Sequence, residues 1–219
     1  MSEEPRILRW MCAFSHRRRQ RRREAFLRHF KITADTQLLD VGGGTDWDWG
    51  VWPLGAPQVT ILNLELPVER KAGIHYVEAD ACDMSMFEAN AFDIAFSNSV
   101  IEHVPDWERQ QAMAAEIRRV AKSYWVQTPN RHFPIEPHML FPFFQYLPLA
   151  WRRVIGRHWP FSFEKLRRGD PERDAVEVRL MTRKELQACF PDAVIIAERF
   201  WGLPKSWIAS GSGSSSTHV

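Results

Sequence analysis

The chain has 219 residues, of which 45% are hydrophobic and 26% charged, and its formal net charge is +2. These values lie near the averages of globular proteins and exclude a wholly disordered or fibrous chain. The nearly balanced charge excludes a strong overall attraction to nucleic acid or to an anionic membrane, so any such attraction is local.

The cysteines and the N-terminal composition bear on the compartment. Cys12, Cys82 and Cys189 lie far apart and form neither a CxxC pair nor a zinc-ligand spacing. The first residues lack the apolar core of a secretory signal. No stretch approaches the roughly 20 uninterrupted apolar residues of a membrane-spanning helix. We therefore predict a reduced, cytoplasmic protein.

A dense basic run marks the N-terminal segment, residues 1–35, which we predict to be helical. Arg17–Glu24 contains no apolar residue, so it does not form the apolar face of a membrane-lying helix. Our first interpretation is a solvated helix, supported by Glu24 and Arg28 one turn apart. Contact of Arg17–Arg23 with an anionic substrate, nucleic acid or lipid phosphate is the alternative.

From Gln37 onward, short apolar runs alternate with helical or irregular segments, which is typical of a parallel sheet covered on both faces. Met113, Ile117 and Val120 fall at helical spacing, and Asp106 is placed to cap a crossover helix. The predicted strands are Gln37–Val41, Val59–Leu64, Ile74–Glu78, Phe92–Ser97, Ser123–Thr128, Val194–Glu198 and Ser206–Ala209.

The segment between Pro129 and Leu180 breaks this alternation. Prolines recur, and Met139–Trp151 is rich in aromatic residues. We interpret it as an inserted cap, either a satellite core under a long connection or a lid over a substrate, with contact to a membrane surface as a third alternative. After it, Thr182 and Glu185 form a capping box for a further helix.

The predicted fold is α/β and Rossmann-like, with a mostly parallel seven-stranded sheet, helices on both faces and a cap inserted between strands five and six. The predicted domain covers residues 36–210, with the cap at about 130–180. The tail, 211–219, is rich in glycine and serine and is predicted to be flexible.

Polar or glycine residues follow four successive predicted strands. The first strand, ending in Asp40 and Val41, runs into Gly42, Gly43 and Gly44, where missing β-carbons let a nucleotide-like ligand approach the backbone. About 20 residues further on, the second strand delivers Asn63 and Glu65, candidates for a ribose partner. The next two strands end in Glu78-Ala79-Asp80-Ala81 and Ser97-Asn98-Ser99-Val100-Ile101-Glu102-His103.

Over residues 36–130 this ordered series resembles the class I S-adenosylmethionine-dependent methyltransferases, specifically those with a methyltransferase-11-like core. The resemblance implies S-adenosylmethionine as cofactor. It implies that Asp40, Gly42, Gly43 and Gly44 hold the methionine part of the cofactor. By the same resemblance Asn63 holds the ribose, with Glu65 as the alternative. Asp80 and Ala81 would reach the adenine, and Ser97, Asn98 and His103 would line the methyl-donor pocket.

Two departures from the family pattern stand out. Asp46 lies where the family often has another glycine, in a short, proline-bearing segment from Thr45 to Pro57 that leaves room for only a stunted helix. Asn63 is neutral where a carboxylate is usual, so ribose binding is weaker or falls to Glu65.

Methyl transfer to a hydroxyl requires removal of a proton, and histidine is the usual base near neutral pH. The candidate catalytic residues are His103, His132, His138 and Glu136. Direct displacement requires no metal, so none is expected. The sequence leaves the acceptor open, with a small molecule, lipid or saccharide precursor favoured over nucleic acid.

Two other functions compete with methyl transfer. A nicotinamide-dependent oxidoreductase shares the glycine-rich turn, but Trp47 occupies the place of the third glycine of G-x-G-x-x-G. A non-catalytic protein that binds phosphate or nucleic acid through the arginine run is the second alternative.

Overall fold

The computed structural model describes residues 20–44, 58–159 and 178–213. The chain divides into two compact units, Met1–Thr33 and Ala34–Val219. In the first unit, residues 20–29 form helix α1. The predicted pairing of Glu24 with Arg28 is present, with 3.8 Å between the charged atoms and both side chains exposed. Arg17–Arg19, the first part of the basic run, lie outside the described residues.

Seven strands form the main sheet of the second unit. The first five pair parallel with one another, and the last strand of the chain pairs antiparallel with both of its neighbours. They are β1 (Gln37–Val41), β2 (Gln58–Asn63), β3 (Ile74–Glu78), β4 (Phe92–Asn98), β5 (Ala121–Pro129), β8 (Val194–Phe200) and β9 (Leu203–Ser212). The sheet order is β3-β2-β1-β4-β5-β9-β8, which confirms the predicted mostly parallel, seven-stranded α/β fold.

The central strands carry the core. In β1 and β4 nearly every residue is buried, because a strand covered on both faces is apolar throughout rather than alternating. Helix α2 (Trp107–Val120) packs its buried side chains, among them Met113 and Ile117, into the same core. As predicted, the carboxylate of Asp106 caps this helix by accepting the N–H of Arg109 at 2.8 Å.

The segment after β5 forms a small arm with its own packing. Strands β6 (Ile135–Glu136) and β7 (Phe141–Pro142) make a hairpin, and helix α3 (Leu149–His158) follows. Met139 and Phe144 are buried in a satellite cluster separate from the main core. This cluster fits the satellite core, one of the three interpretations of the predicted cap, over residues 130–159. Residues 160–177 of the cap lie outside the described residues.

The chain returns to the sheet through helix α4 (Arg183–Cys189). The predicted capping box is confirmed: Thr182 Oγ1 accepts the N–H of Glu185 at 3.2 Å, and a carboxylate oxygen of Glu185 accepts the N–H of Thr182 at 2.7 Å. Among the helices of the described ranges, none combines the length and apolar character needed to cross a membrane.

Candidate functional site

The glycine turn after β1 is closely packed on one side and open on the other. Gly42 has φ +76°, and its N–H donates to the carbonyl of Leu62 at 2.7 Å. A β-carbon on Gly42 would lie 2.5 Å from Cγ2 of Val100, whereas one on Gly44 would meet no heavy atom of the described residues within 4 Å. The turn therefore leaves space beside its last glycine, which a ligand can approach.

Two buried polar residues, Asp40 and Ser97, contact the backbone of the glycine turn and of the strand end before it. Asp40 is 2% exposed, and a β-carbon on Gly43 would lie 2.5 Å from its carboxylate carbon. Ser97, which is fully buried, donates its hydroxyl to the carbonyl of Val41 at 3.1 Å. The carboxyl ends of β1 and β4 are thus joined where both strands end.

Hydrogen bonds at the end of β2 explain why the residue there is the neutral Asn63 and not a carboxylate. The amide of Asn63 donates to the carbonyl of Gly43 at 3.0 Å, and its oxygen accepts the N–H of Leu64 at 2.8 Å. A carboxylate has no hydrogen to give to that carbonyl. Asn63 therefore holds the glycine turn, while Glu65 is exposed beyond it.

Asp80, after β3, is paired with a residue that the sequence did not single out. One carboxylate oxygen forms an ion pair with the guanidinium of Arg109, and the other accepts the N–H of Cys82 at 2.8 Å. Burial raises the pKa of Asp80, but the hydrogen bonds from Cys82 and Arg109 outweigh it, so the net pKa lies below its ordinary value. Asp80 is thus a charged acceptor at neutral pH.

A 3₁₀ turn, Ile101–His103, follows β4 and carries a buried carboxylate. Glu102 is fully buried, and its Oε2 accepts the hydroxyl of Thr128, at the end of β5, at 3.0 Å. Within the described part of the chain, its Oε1 has no hydrogen-bond partner.

Glu136 and His138, from the hairpin of the arm, lie beside this turn. Nδ1 of His138 is 2.6 Å from Oε1 of Glu136, whose Oε2 accepts the N–H of Met139 at 2.6 Å. The rings of His138 and His103 meet edge to face, with centroids 4.9 Å apart. One potential ligand atom from each of Glu102, His103 and His138 lies within 4.8 Å of the others. We call these three residues and Glu136 the acidic-histidine cluster.

The structure brings together three of the four predicted catalytic candidates: His103, His138 and Glu136. His132 lies elsewhere on the arm, with Nδ1 2.8 Å from the hydroxyl of Tyr146. Sequence reasoning missed Glu102, although it directly precedes His103. Its only signal was its position just after a buried strand, where polar groups meet at the sheet edge.

Val100 connects the cluster to the glycine turn. Its side chain packs against Gly42, and the next three residues are the 3₁₀ turn that carries Glu102 and His103. The open side of Gly44, the buried Asp40 and the charged Asp80 fit a cofactor with a cationic head and an adenine. One edge of the sheet thus combines a nucleotide-type cradle with a group of carboxylates and histidines.

Comparisons with a family profile and with solved structures both point to methyltransferases. Residues 39–124 match the profile of the methyltransferase domain family. The fold is similar to magnesium protoporphyrin IX methyltransferase from Synechocystis PCC 6803 with bound S-adenosylhomocysteine (TM-score 0.58, 11% identity, 98% of this chain and 90% of that chain). It is also similar to 1,6-didemethyltoxoflavin-N1-methyltransferase of Burkholderia thailandensis (TM-score 0.56, 13% identity, 94% and 81%). A comparison with curated proteins finds no match.

Proposed function

Because the chain carries a class I S-adenosylmethionine-dependent methyltransferase core, we propose that it methylates a small-molecule, lipid or saccharide acceptor held beside the acidic-histidine cluster. The observation that carries this proposal is the contact of Val100 with Gly42, because Val100 directly precedes the 3₁₀ turn that bears Glu102 and His103. The solved relative from Burkholderia thailandensis, crystallised with a small-molecule substrate and S-adenosylhomocysteine, supports an acceptor of this kind.

The proposed cofactor residues lie on four strand ends. Asp40 and the glycine turn hold the methionine part, while Asp80, with Ala81 beside it, accepts from the adenine amine. For the ribose we favour Glu65, because both polar atoms of the Asn63 side chain are engaged with the backbone. Ser97 and Asn98 line the methyl side. When bound, S-adenosylmethionine supplies an electrophilic methyl carbon attached to a sulfur that leaves readily.

The remaining tasks of the chain are alignment and removal of a proton. The acceptor must lie in line with the departing sulfur, with water excluded. Its lone pair forms the new bond to the methyl carbon, the electron pair of the carbon–sulfur bond stays with sulfur, and one proton leaves the acceptor. We propose that the acidic-histidine cluster promotes that loss, since Glu136 fixes the ring of His138 through Nδ1.

We also propose roles for the basic helix and the arm, and a cellular location. The basic segment of α1 is a solvated face, with nucleic acid as the alternative partner of Arg17–Arg23. The arm at 139–151 presents aromatic side chains, and peripheral membrane contact is an alternative role for it. The two described cysteines, Cys82 and Cys189, are unpaired, which supports a reducing cytoplasmic location.

Calorimetric titration tests the proposal and its alternatives. The full chain should bind S-adenosylhomocysteine and S-adenosylmethionine and should not bind NADH. Binding of NADH alone would support the oxidoreductase alternative. Failure of all three ligands, with salt-sensitive binding of polyanions, would support the non-catalytic alternative. With cofactor binding established, methyl transfer from labelled S-adenosylmethionine to pooled small-molecule, lipid and saccharide fractions would identify the acceptor class.

A further inference from the structure

Three side chains that commonly bind transition metals converge beside the glycine turn. One ligand atom from each of Glu102, His103 and His138 lies within 4.8 Å of the other two. Two imidazoles and one carboxylate form a donor set that suits zinc and similar divalent ions, and in catalytic zinc sites three protein ligands leave one position open. They come from two separate elements, the 3₁₀ turn after β4 and the hairpin of the arm, so the convergence is tertiary.

Glu102 provides an independent reason to expect a cation. Its side chain is fully buried, yet among the described residues only the hydroxyl of Thr128 donates to it, and Oε1 has no hydrogen-bond partner. A buried carboxylate oxygen without a donor costs free energy, because it has lost its water without replacement. A cation at the convergence point would remove that cost.

Glu136 occupies the place of a supporting carboxylate. Its Oε1 is 2.6 Å from Nδ1 of His138, and its Oε2 accepts the N–H groups of His138 and Met139 at 2.9 and 2.6 Å. Histidines that bind metals usually donate their second N–H to a carboxylate, which fixes the tautomer and the orientation of the ring. With Nδ1 bonded to Glu136, coordination by His138 falls to Nε2. Glu136 is therefore a positioning residue.

We propose that Glu102, His103 and His138 bind a divalent ion of the zinc class, with the fourth position facing the acceptor. Tetrahedral bonds of about 2.0–2.1 Å put ligand atoms about 3.3 Å apart, so the three atoms must close in from their present separation. His103 is exposed, so we expect its imidazole to make the larger part of this movement.

The role of the ion rests on the proposed function, and it narrows the acceptor to a hydroxyl compound. An acceptor oxygen bound to the ion loses its proton to solvent more readily, because the cation stabilises the oxyanion. The oxygen lone pair then forms the bond to the methyl carbon, and the carbon–sulfur electron pair stays with sulfur. The ion is neither oxidised nor reduced.

Zinc titration of the full chain tests the site. The protein is treated with a chelator, freed of it and titrated with Zn²⁺ alone by calorimetry, with Co²⁺ absorption as a second readout of the ligand geometry. We expect one ion per chain. Affinity should fall at least about tenfold in Glu102→Gln and His103→Gln, and about 10–100-fold in Glu136→Gln. His132→Gln is the matched control, because it changes a histidine of the same arm outside the cluster and should leave zinc affinity unchanged.

Failure of the metal site and failure of the proposed methyltransferase function give different results in this experiment. S-adenosylhomocysteine affinity is measured on the same samples, and near-ultraviolet circular dichroism checks their fold. If Glu102→Gln does not fold, the exposed His103→Gln supplies the test. Absence of stoichiometric zinc binding, or equal zinc affinity in wild type and His103→Gln, would overturn the metal site even where S-adenosylhomocysteine binds. Zinc binding without cofactor binding would instead overturn the proposed function.

Discussion

Replacing Gly44 by alanine should separate cofactor binding from folding. The added β-carbon meets no heavy atom within 4 Å in the part of the chain that the structure describes, so the free energy of unfolding should change by no more than about 0.5 kcal/mol. A bound cofactor would use the same space, and overlap with a methyl group in a close-packed site costs about 1–3 kcal/mol. Since about 1.4 kcal/mol is a factor of ten, the dissociation constant of S-adenosylhomocysteine should rise about 5- to 150-fold.

Gly42→Ala is the contrasting variant, because it should damage folding. The φ of +76° costs an alanine about 1–2 kcal/mol. A β-carbon 2.5 Å from Cγ2 of Val100 adds an overpacking cost of about 1–3 kcal/mol. At about 2–4 °C per kcal/mol for a protein of this size, the melting temperature should fall by about 4–20 °C.

Thermal unfolding and calorimetric titration with S-adenosylhomocysteine, both on the full chain, measure the two effects. If Gly44→Ala were folded and bound the ligand with wild-type affinity, the space beside Gly44 would not be the cofactor space. If Gly42→Ala melted at the wild-type temperature, the predicted clash with Val100 would not limit stability.

Three further predictions concern the ion pair of Arg109 with Asp80, the capping box of helix α4 and the acidic-histidine cluster. Arg109→Gln should lower the free energy of unfolding at pH 7 only slightly in denaturant titrations, because the pair with Asp80 is more than a third exposed on both sides. The pKa of Asp80 is lower in the folded chain than its ordinary 3.8, so this stabilisation is present above that pH and is lost as the pH falls through the folded pKa. A difference between wild type and Arg109→Gln that persists at a pH low enough to protonate Asp80 would contradict it. Thr182→Ala should cost about 0.5–2 kcal/mol in thermal unfolding through loss of the capping box, and an unchanged melting temperature would show that the cap contributes nothing. His138→Gln should lower turnover of the identified acceptor about 10²–10⁴-fold at unchanged S-adenosylhomocysteine affinity, whereas His75→Gln, exposed on β3, should change neither.

The sheet was predictable because its strands are short apolar runs between clear breaks. The bounds of β1 and β3 match the prediction, since three glycines follow β1 and Asp80 lies two residues after the end of β3. Strand β5 begins earlier than predicted because helix α2 passes into it without a loop, and Ala121 already pairs with Phe92. The hairpin of β6 and β7 was missed, because two-residue strands leave no periodicity to detect.

The family resemblance is confirmed by the domain match and by the fold, but the sequence did not identify the acceptor. The match ends at residue 124, before the arm that carries Glu136 and His138. Acceptor sites are built on a fold rather than fixed by it, so residues outside the shared core follow the substrate. Glu102 was overlooked for a related reason: its carboxylate accepts from Thr128, which is 26 residues away in the sequence.

The acidic-histidine cluster spans two separately packed parts of the second unit. Ile101, next to Glu102, belongs to the main core, while Met139, next to His138, belongs to the satellite core of the arm. Any ligand held by both sides therefore acts as a cross-link that reduces the freedom of the arm. Amide hydrogen exchange in the arm would slow when the cluster is occupied, so its protection reports occupancy without any knowledge of the acceptor.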